Sequence, residues 1–295
     1  MGASMQHLFR QGPVIRTLLR TAVSSAGKGG KNGERAGPHE PGPELRQTIP
    51  PRNPRLVREY IRHVGGEPAW YTGTLPPHFF PQWGFPLLAR TLQGLPYNLS
   101  RVLNGGSRIE VRQPVPAGKP LLLRARLEEV DGNGSRVILR QTLVTGTAEQ
   151  PEALVSTVHA IIPLRRSEGP RKPKPAVPLA AREIGRWELG KRSGLDFALL
   201  TGDFNPVHWI PAYARMSGFP GTILHGFATL ARTIESLNRS VWLGRPGRLR
   251  TFESRFVKPL RFPGTPKVFL TPENEVFVGS APGGHACLAG RFTTR

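Results

Sequence analysis

Cysteine is nearly missing from this 295-residue chain: Cys287 stands alone. One thiol closes no internal disulfide and builds no Cys-based zinc cluster, and it fits a reducing compartment. Aspartate is almost as scarce, with only Asp131, Asp196 and Asp203. No apolar run approaches the ~20 residues that a bilayer-spanning helix needs. Acids as a class are outnumbered, 20 Asp and Glu against 41 Lys and Arg, for a formal charge of +21. Nucleic acid, anionic lipid and acidic proteins all suit such a charge. Nucleic acid is the least favoured partner, because the chain has no zinc finger, no aromatic RNA-binding signature and no basic zipper. The excess is also spread over three regions, 1–46, 165–192 and 232–267, rather than gathered in one tail.

What is present divides the chain. Residues 1–33 hold no acid. Leu8, Ile15, Leu18, Leu19 and Ala22 fit one helix face, with Arg10, Arg16 and Arg20 elsewhere. Residues 8–24 therefore read as a transit peptide, a membrane-surface helix, a docking arm or a poorly ordered extension. Residues 24–53 are Gly, Pro, Lys and Glu without periodicity, a disordered linker by composition. The whole of 1–53 is expected to be a basic extension, with structure starting near Leu56. A second break, 165–178, is rich in Pro, Arg and Lys. It separates a unit at 54–164 from one at 179–295.

The two units share a layout. Phe85–Leu95 reads as a helix, followed by strands at Ser107–Arg112, Leu121–Val130, Arg136–Gly146 and Ala153–Leu164, with a hairpin turn at Asp131–Gly134. Phe227–Asn238 reads as a helix, followed by strands at Arg248–Phe256, Lys267–Leu270, Glu275–Val278 and His285–Phe292. The first strand after each helix runs into a proline and then a glycine. The pattern is a diverged duplication, one helix wrapped by an antiparallel sheet, twice, in the α+β class.

Chemistry concentrates in Thr201-Gly-Asp-Phe-Asn-Pro-Val-His208. Asn205-Pro206 keeps the stretch out of a helix, because proline fixes its own φ and biases the preceding residue towards extended geometry. Asp203 and His208 are thereby held close on a stiff loop, the next acid being Glu235. A carboxylate and an imidazole sharing one water can serve as base and acid for adding that water to a polarised double bond. Asn205 can hold the loop or the water. The plain alternative is that Asp203 caps a turn and His208 packs. Ile223-Leu-His-Gly226 then leads into the second helix. Gly226 lets a substrate approach the backbone, and a helix start presents free N–H groups to a developing oxyanion. His225 reads as positioning the turn.

These residues, with Ala214, Gly218-Phe219 and Ile223-Leu-His-Gly-Phe227, resemble the signature of MaoC-like dehydratases, which include the (R)-specific type-2 enoyl-CoA hydratases. The resemblance covers about 185–295; the first unit looks like the degenerate partner repeat of double-hotdog members. It implies a double hotdog and reversible hydration of a trans-2-enoyl thioester, borne on CoA or on an acyl carrier protein. Asp203 and His208 would form the dyad, Asn205 its support and the Gly226 N–H the oxyanion donor. No metal or redox cofactor is implied. Many members carry an acid two residues after the catalytic His, where this chain has Ile210; that acid would cap the following turn. Trp83, Phe85, Leu87 and Leu88 are candidates to line an acyl tunnel, or simply core. Arg255, Lys258 and Arg261 are candidates to meet a CoA phosphate or an acidic carrier face. A non-catalytic acyl-thioester-binding hotdog is the competing reading, and a basic surface-binding scaffold a third. Monomer and homodimer both fit a fused pair, as do a bacterial cytoplasm and, through the N-terminus, a mitochondrial or membrane-associated location.

Overall fold

A computed structural model describes residues 41–99, 102–132, 134–164 and 174–295. The amphipathic stretch at 8–24 and residues 165–173 of the second break lie outside the described residues.

The first unit runs β1 (Leu45–Ile49), α1 (Pro54–His63), β2 (Thr74–Leu75), α2 (Phe80–Thr91), β3 (Leu103–Val111), β4 (Val115–Pro116), β5 (Leu121–Gly132), β6 (Arg136–Gly146) and β7 (Leu154–Pro163). The second runs β8 (Arg182–Arg186), α3 (Ser193–Thr201), α4 (Pro211–Met216), α5 (Gly226–Ser240), β9 (Leu249–Phe256), β10 (Lys267–Leu270), β11 (Glu275–Gly279) and β12 (Leu288–Thr294). Apart from the two-stranded β2–β4 ribbon, the strands form one antiparallel sheet in the order β1-β5-β6-β7-β3-β9-β12-β11-β10-β8. Its left and right halves mirror each other. The first strand of each unit lies at an outer edge, and the first strand after each long helix lies at the centre. The structure is thus two hotdog units in one continuous sheet.

The local causes are legible. Asn53 accepts from the Arg55 and Leu56 N–H groups and Pro54 opens α1, a cap and a first-turn proline together. Leu56, Val57, Tyr60 and Ile61 then fall on its buried face. β7 alternates residue by residue, burying Leu154, Ser156, Val158, Ala160 and Ile162, the period of a half-buried strand. At the central seam Ser107 pairs with Ser254 and Ile109 with Phe252, and Ile109 and Phe252 are both fully buried. A single apolar cluster runs from α1 and α2 through this seam to α5.

The expected start near Leu56 is corrected. Leu45–Ile49, inside the supposed linker, pairs along its whole length with Leu121–Ala125. Only Leu45 and Ile49 of its side chains are partly buried, so a composition reading sees little core in it. The first long helix begins at Phe80 rather than Phe85. A 3₁₀ turn at Pro77–Phe79 leads into it, and the helix tolerates Pro81 in its first turn and Pro86 within it. Among the described residues no helix is long and apolar enough to cross a membrane.

Candidate active site

α3 ends at Thr201, and Gly202 follows in the left-handed region with φ 85°. That conformation suits glycine and turns the chain sharply at the helix end. Asp203 is the next residue out. Its carboxylate accepts from the Asn205 N–H at 3.4 Å, while Asn205 Oδ1 accepts from the Val207 N–H at 3.3 Å. Pro206 opens a short 3₁₀ turn, Pro206–His208, that delivers the imidazole. Asn205 therefore acts as the cap of this turn and as a backbone support for Asp203.

His208 Nδ1 lies 2.8 Å from the Ile223 carbonyl oxygen. A carbonyl only accepts, so Nδ1 carries the proton and Nε2 presents its lone pair. Burial holds the His208 pKa below its ordinary value, against the upward pull of the Asp203 carboxylate and of the Ile223 bond. Asp203, His208 and His225 each offer one polar side-chain atom, and the three atoms lie within 4.8 Å of one another. One water making two hydrogen bonds of ordinary length spans such a gap. The same trio is the cluster best placed to hold a metal ion. Backbone carbonyls occupy His208 Nδ1 and His225 Nε2, which leaves Asp203, His208 Nε2 and the unpartnered His225 Nδ1 as donors.

Gly226 opens α5. No side chain caps this helix start, and among the described residues no backbone carbonyl accepts the Gly226 N–H. That donor is free for an oxyanion. The absence of a side chain at Gly226 has a further cause: a Cβ there would lie 2.5 Å from the Phe256 ring. Phe227, Phe85 and Phe256 pack edge to face beside it, with Phe85–Phe227 at 5.1 Å and Phe227–Phe256 at 5.5 Å.

The structure therefore brings together Asp203, His208, Asn205 and Gly226, with half-buried Phe85 of the first unit close by. Trp83 is corrected to core: it is 3% exposed, packs on Phe79, and donates from Nε1 to Thr145 Oγ1. Leu87 and Leu88 are core as well. Arg255 lies on the solvent side of its strand. Phe252, Ser254 and Phe256 alternate on one face of β9, so Arg255 points to the other and is exposed. Lys258 and Arg261 line a cavity of about 580 Å³ with His285 and Cys287. Its wall includes Pro220–Thr222, next to the Ile223–Leu224 stretch, which pairs with Leu260 and Arg261. Ile210 occupies the cap position of α4 and gives it no side-chain bond.

Sequence reading missed Gly194. A Cβ on this α3 residue would fall 1.8 Å from the His208 carbonyl oxygen, so glycine is what lets the dyad loop lie against the helix. It also missed a buried network joining the units. His78 Nε2 and Glu235 Oε1 are 3.0 Å apart, and the Tyr71 hydroxyl donates to the same oxygen at 2.9 Å. Asn238 donates to Glu235 Oε2 and to Tyr71, and Tyr60 donates to the His78 carbonyl.

Residues 168–275 match the MaoC like domain family. The chain is 28% identical over 189 residues to the peroxisomal enoyl-CoA hydratase 2 of Arabidopsis thaliana, covering 59% of this chain and 60% of that relative. Among solved structures it resembles HtdX of Mycobacterium tuberculosis, with a TM-score of 0.68 at 18% identity over 83% of this chain and 98% of that one. A second protein of that organism, described as a double hotdog fold, matches with a TM-score of 0.58 at 14% identity over 86% of this chain and 95% of that one. Likeness at such identities speaks to the fold. The matched segment holds the Asp203–His208 loop and the start of α5, so it is the second unit that is similar to the MaoC-like domain family.

Proposed function

We propose that the chain catalyses reversible addition of water to a trans-2-enoyl thioester, giving an (R)-3-hydroxyacyl thioester. One observation carries this reading. The Asp203 carboxylate and the His208 imidazole offer atoms within 4.8 Å of one another, a gap that one water can bridge, beside a helix start whose Gly226 N–H is free among the described residues. In the hydration direction the water sits between them. His208 Nε2 takes its proton as oxygen bonds to C3, and the C2–C3 π electrons move onto the thioester oxygen. The Gly226 N–H and the α5 dipole stabilise that enolate. The proton held by the pair then passes to C2, so two bonds form across one π bond and the enzyme returns to its starting state. Half-buried Phe85 and Phe256, packed on the core residue Phe227, supply an apolar wall for the acyl part. Lys258 and Arg261 supply positive charge for a phosphate-bearing carrier, whether CoA or an acyl carrier protein.

The test follows enoyl-thioester absorbance with crotonyl-CoA and longer enoyl-CoAs. Asp203→Asn and His208→Ala are each expected to lower kcat about 10³-fold, within the usual range for a general acid or base. Equal turnover in wild type and both variants would remove the dyad from the mechanism. Acyl-CoA binding without turnover at any chain length would identify a binding module instead.

A further inference from the structure

We infer that His225 is a positioning residue that holds both members of the dyad at once, a role that rests on the hydratase reading above. Three contacts place it there. Its Nε2 lies 2.9 Å from the Asp203 carbonyl oxygen, so Nε2–H donates and ties down the backbone from which the carboxylate hangs. Its ring stacks on the His208 ring with centroids 3.6 Å apart and planes 26° apart. The Phe197 ring backs it from α3, with centroids 4.8 Å away. His208 is thus held at Nδ1 by Ile223 and across its face by His225, which leaves Nε2 as its free edge.

His225 is itself suited to stay out of the proton traffic. It is 1% exposed, and its Nδ1 is buried without a hydrogen-bond partner. Protonating Nδ1 would bury a second N–H and a charge with nothing to accept them. Burial first, and the adjacent His208 second, push its pKa well below the ordinary value. The ring is therefore a neutral fixture with one N–H in use. It also joins the oxyanion helix to the dyad loop, because it is the residue immediately before Gly226. A shift of His225 moves donor and base together.

Three substitutions separate the contacts. His225→Gln keeps an N–H near the Nε2 position, His225→Phe keeps the ring over His208 but not the bond, and His225→Leu removes both. The expected order of kcat on crotonyl-CoA is wild type, Gln, Phe, Leu. The Leu variant should lose about 10²-fold, the loss typical of a misplacement of about 1 Å, with KM within about threefold. Nitrogen NMR of His208 gives a readout independent of turnover: a single Nδ1–H tautomer in wild type and a mixture in the Leu variant. Wild-type kcat in the Phe and Leu variants would overturn the inference. So would equal losses in Gln, Phe and Leu with the His208 tautomer unchanged. If the Leu variant does not fold, the Gln and Phe variants decide, and a Phe variant equal to Gln would remove the hydrogen bond from the account. If wild type turns over no enoyl thioester, the reaction reading fails, and the tautomer still reports whether His225 orders His208.

Discussion

Two loops in this molecule share an order of elements and differ in chemistry. In the second unit α3 ends, Gly202 turns left-handed at φ 85°, and a 3₁₀ turn opens at Pro206 and closes on His208. In the first unit α1 ends, Gly65 turns left-handed at φ 89°, and a 3₁₀ turn opens at Pro68 and runs through Trp70. Gly66 follows its left-handed glycine as Asp203 follows Gly202, and Trp70 lies two residues past its proline as His208 does. A histidine also stands near the entry to each long helix, His78 two residues before Phe80 opens α2 and His225 one residue before Gly226 opens α5. Phe79, the cap residue of α2, is fully buried against Tyr60 and Trp83, whereas α5 opens on a glycine. A Cβ on Gly66 would lie 2.5 Å from the Glu235 side chain, so the second unit's carboxylate packs against this glycine. An acid and an imidazole meet twice in the molecule, once within the second unit and once between the units. One pair is half-buried beside a free helix start, and the other is sealed in the core by Tyr60, Tyr71 and Asn238. Access, not the presence of titratable groups, separates a reactive site from a structural one.

The sealed pair offers the largest test of this comparison. Glu235→Ala leaves His78 and Tyr71 without their acceptor and is expected to cost about 3–5 kcal/mol, read as a lowered urea midpoint. The same change made at the open pair, Asp203→Ala, is expected to remove activity with little loss of stability. Gly194→Ala probes the loop path. The new methyl group must displace the His208 backbone, and kcat should fall about 10²-fold while an acyl-CoA ligand still binds. A smaller effect is read in pH. Burial lowers the His208 pKa, and the base is active when neutral, so kcat/KM should stay level as pH falls below about 6.5, the ordinary histidine value, before the acid limb sets in. An acid limb centred above that value would show that burial does not govern this imidazole. The smallest effect is at α4. Ile210→Asp supplies the missing cap and is expected to add about 1 kcal/mol of stability with kcat unchanged.

The dyad loop was legible because its information is local: one proline, one asparagine and two titratable groups within six residues. Gly226 was legible for the same reason, as were the duplicated helix-and-strand order and most strand spans. The failures are non-local. β1 carries almost no apolar signal, and only its pairing with β5 makes it a strand. Gly194 lies fourteen residues before His208 and looks like any helix glycine until the loop folds back on it. The His78–Glu235 pair joins residues 157 apart. The outward placement of Arg255 could be read from the sequence, since Phe252, Ser254 and Phe256 already mark the inward face of β9. The Gly65–Trp70 loop was also available, as a second glycine-to-proline turn following a short amphipathic helix.

The β3–β9 seam has a consequence for mass action. A site assembled from two separate hotdog chains comes apart on dilution, because the partner's wall leaves with the partner. Here the residues that the first unit supplies, Phe85 above all, reach Phe227 through a continuous ten-stranded sheet within one covalent chain. Their effective concentration is fixed by the fold rather than by the solution. Specific activity should therefore stay constant as the protein is diluted through the range in which an associating pair of single units would fall silent.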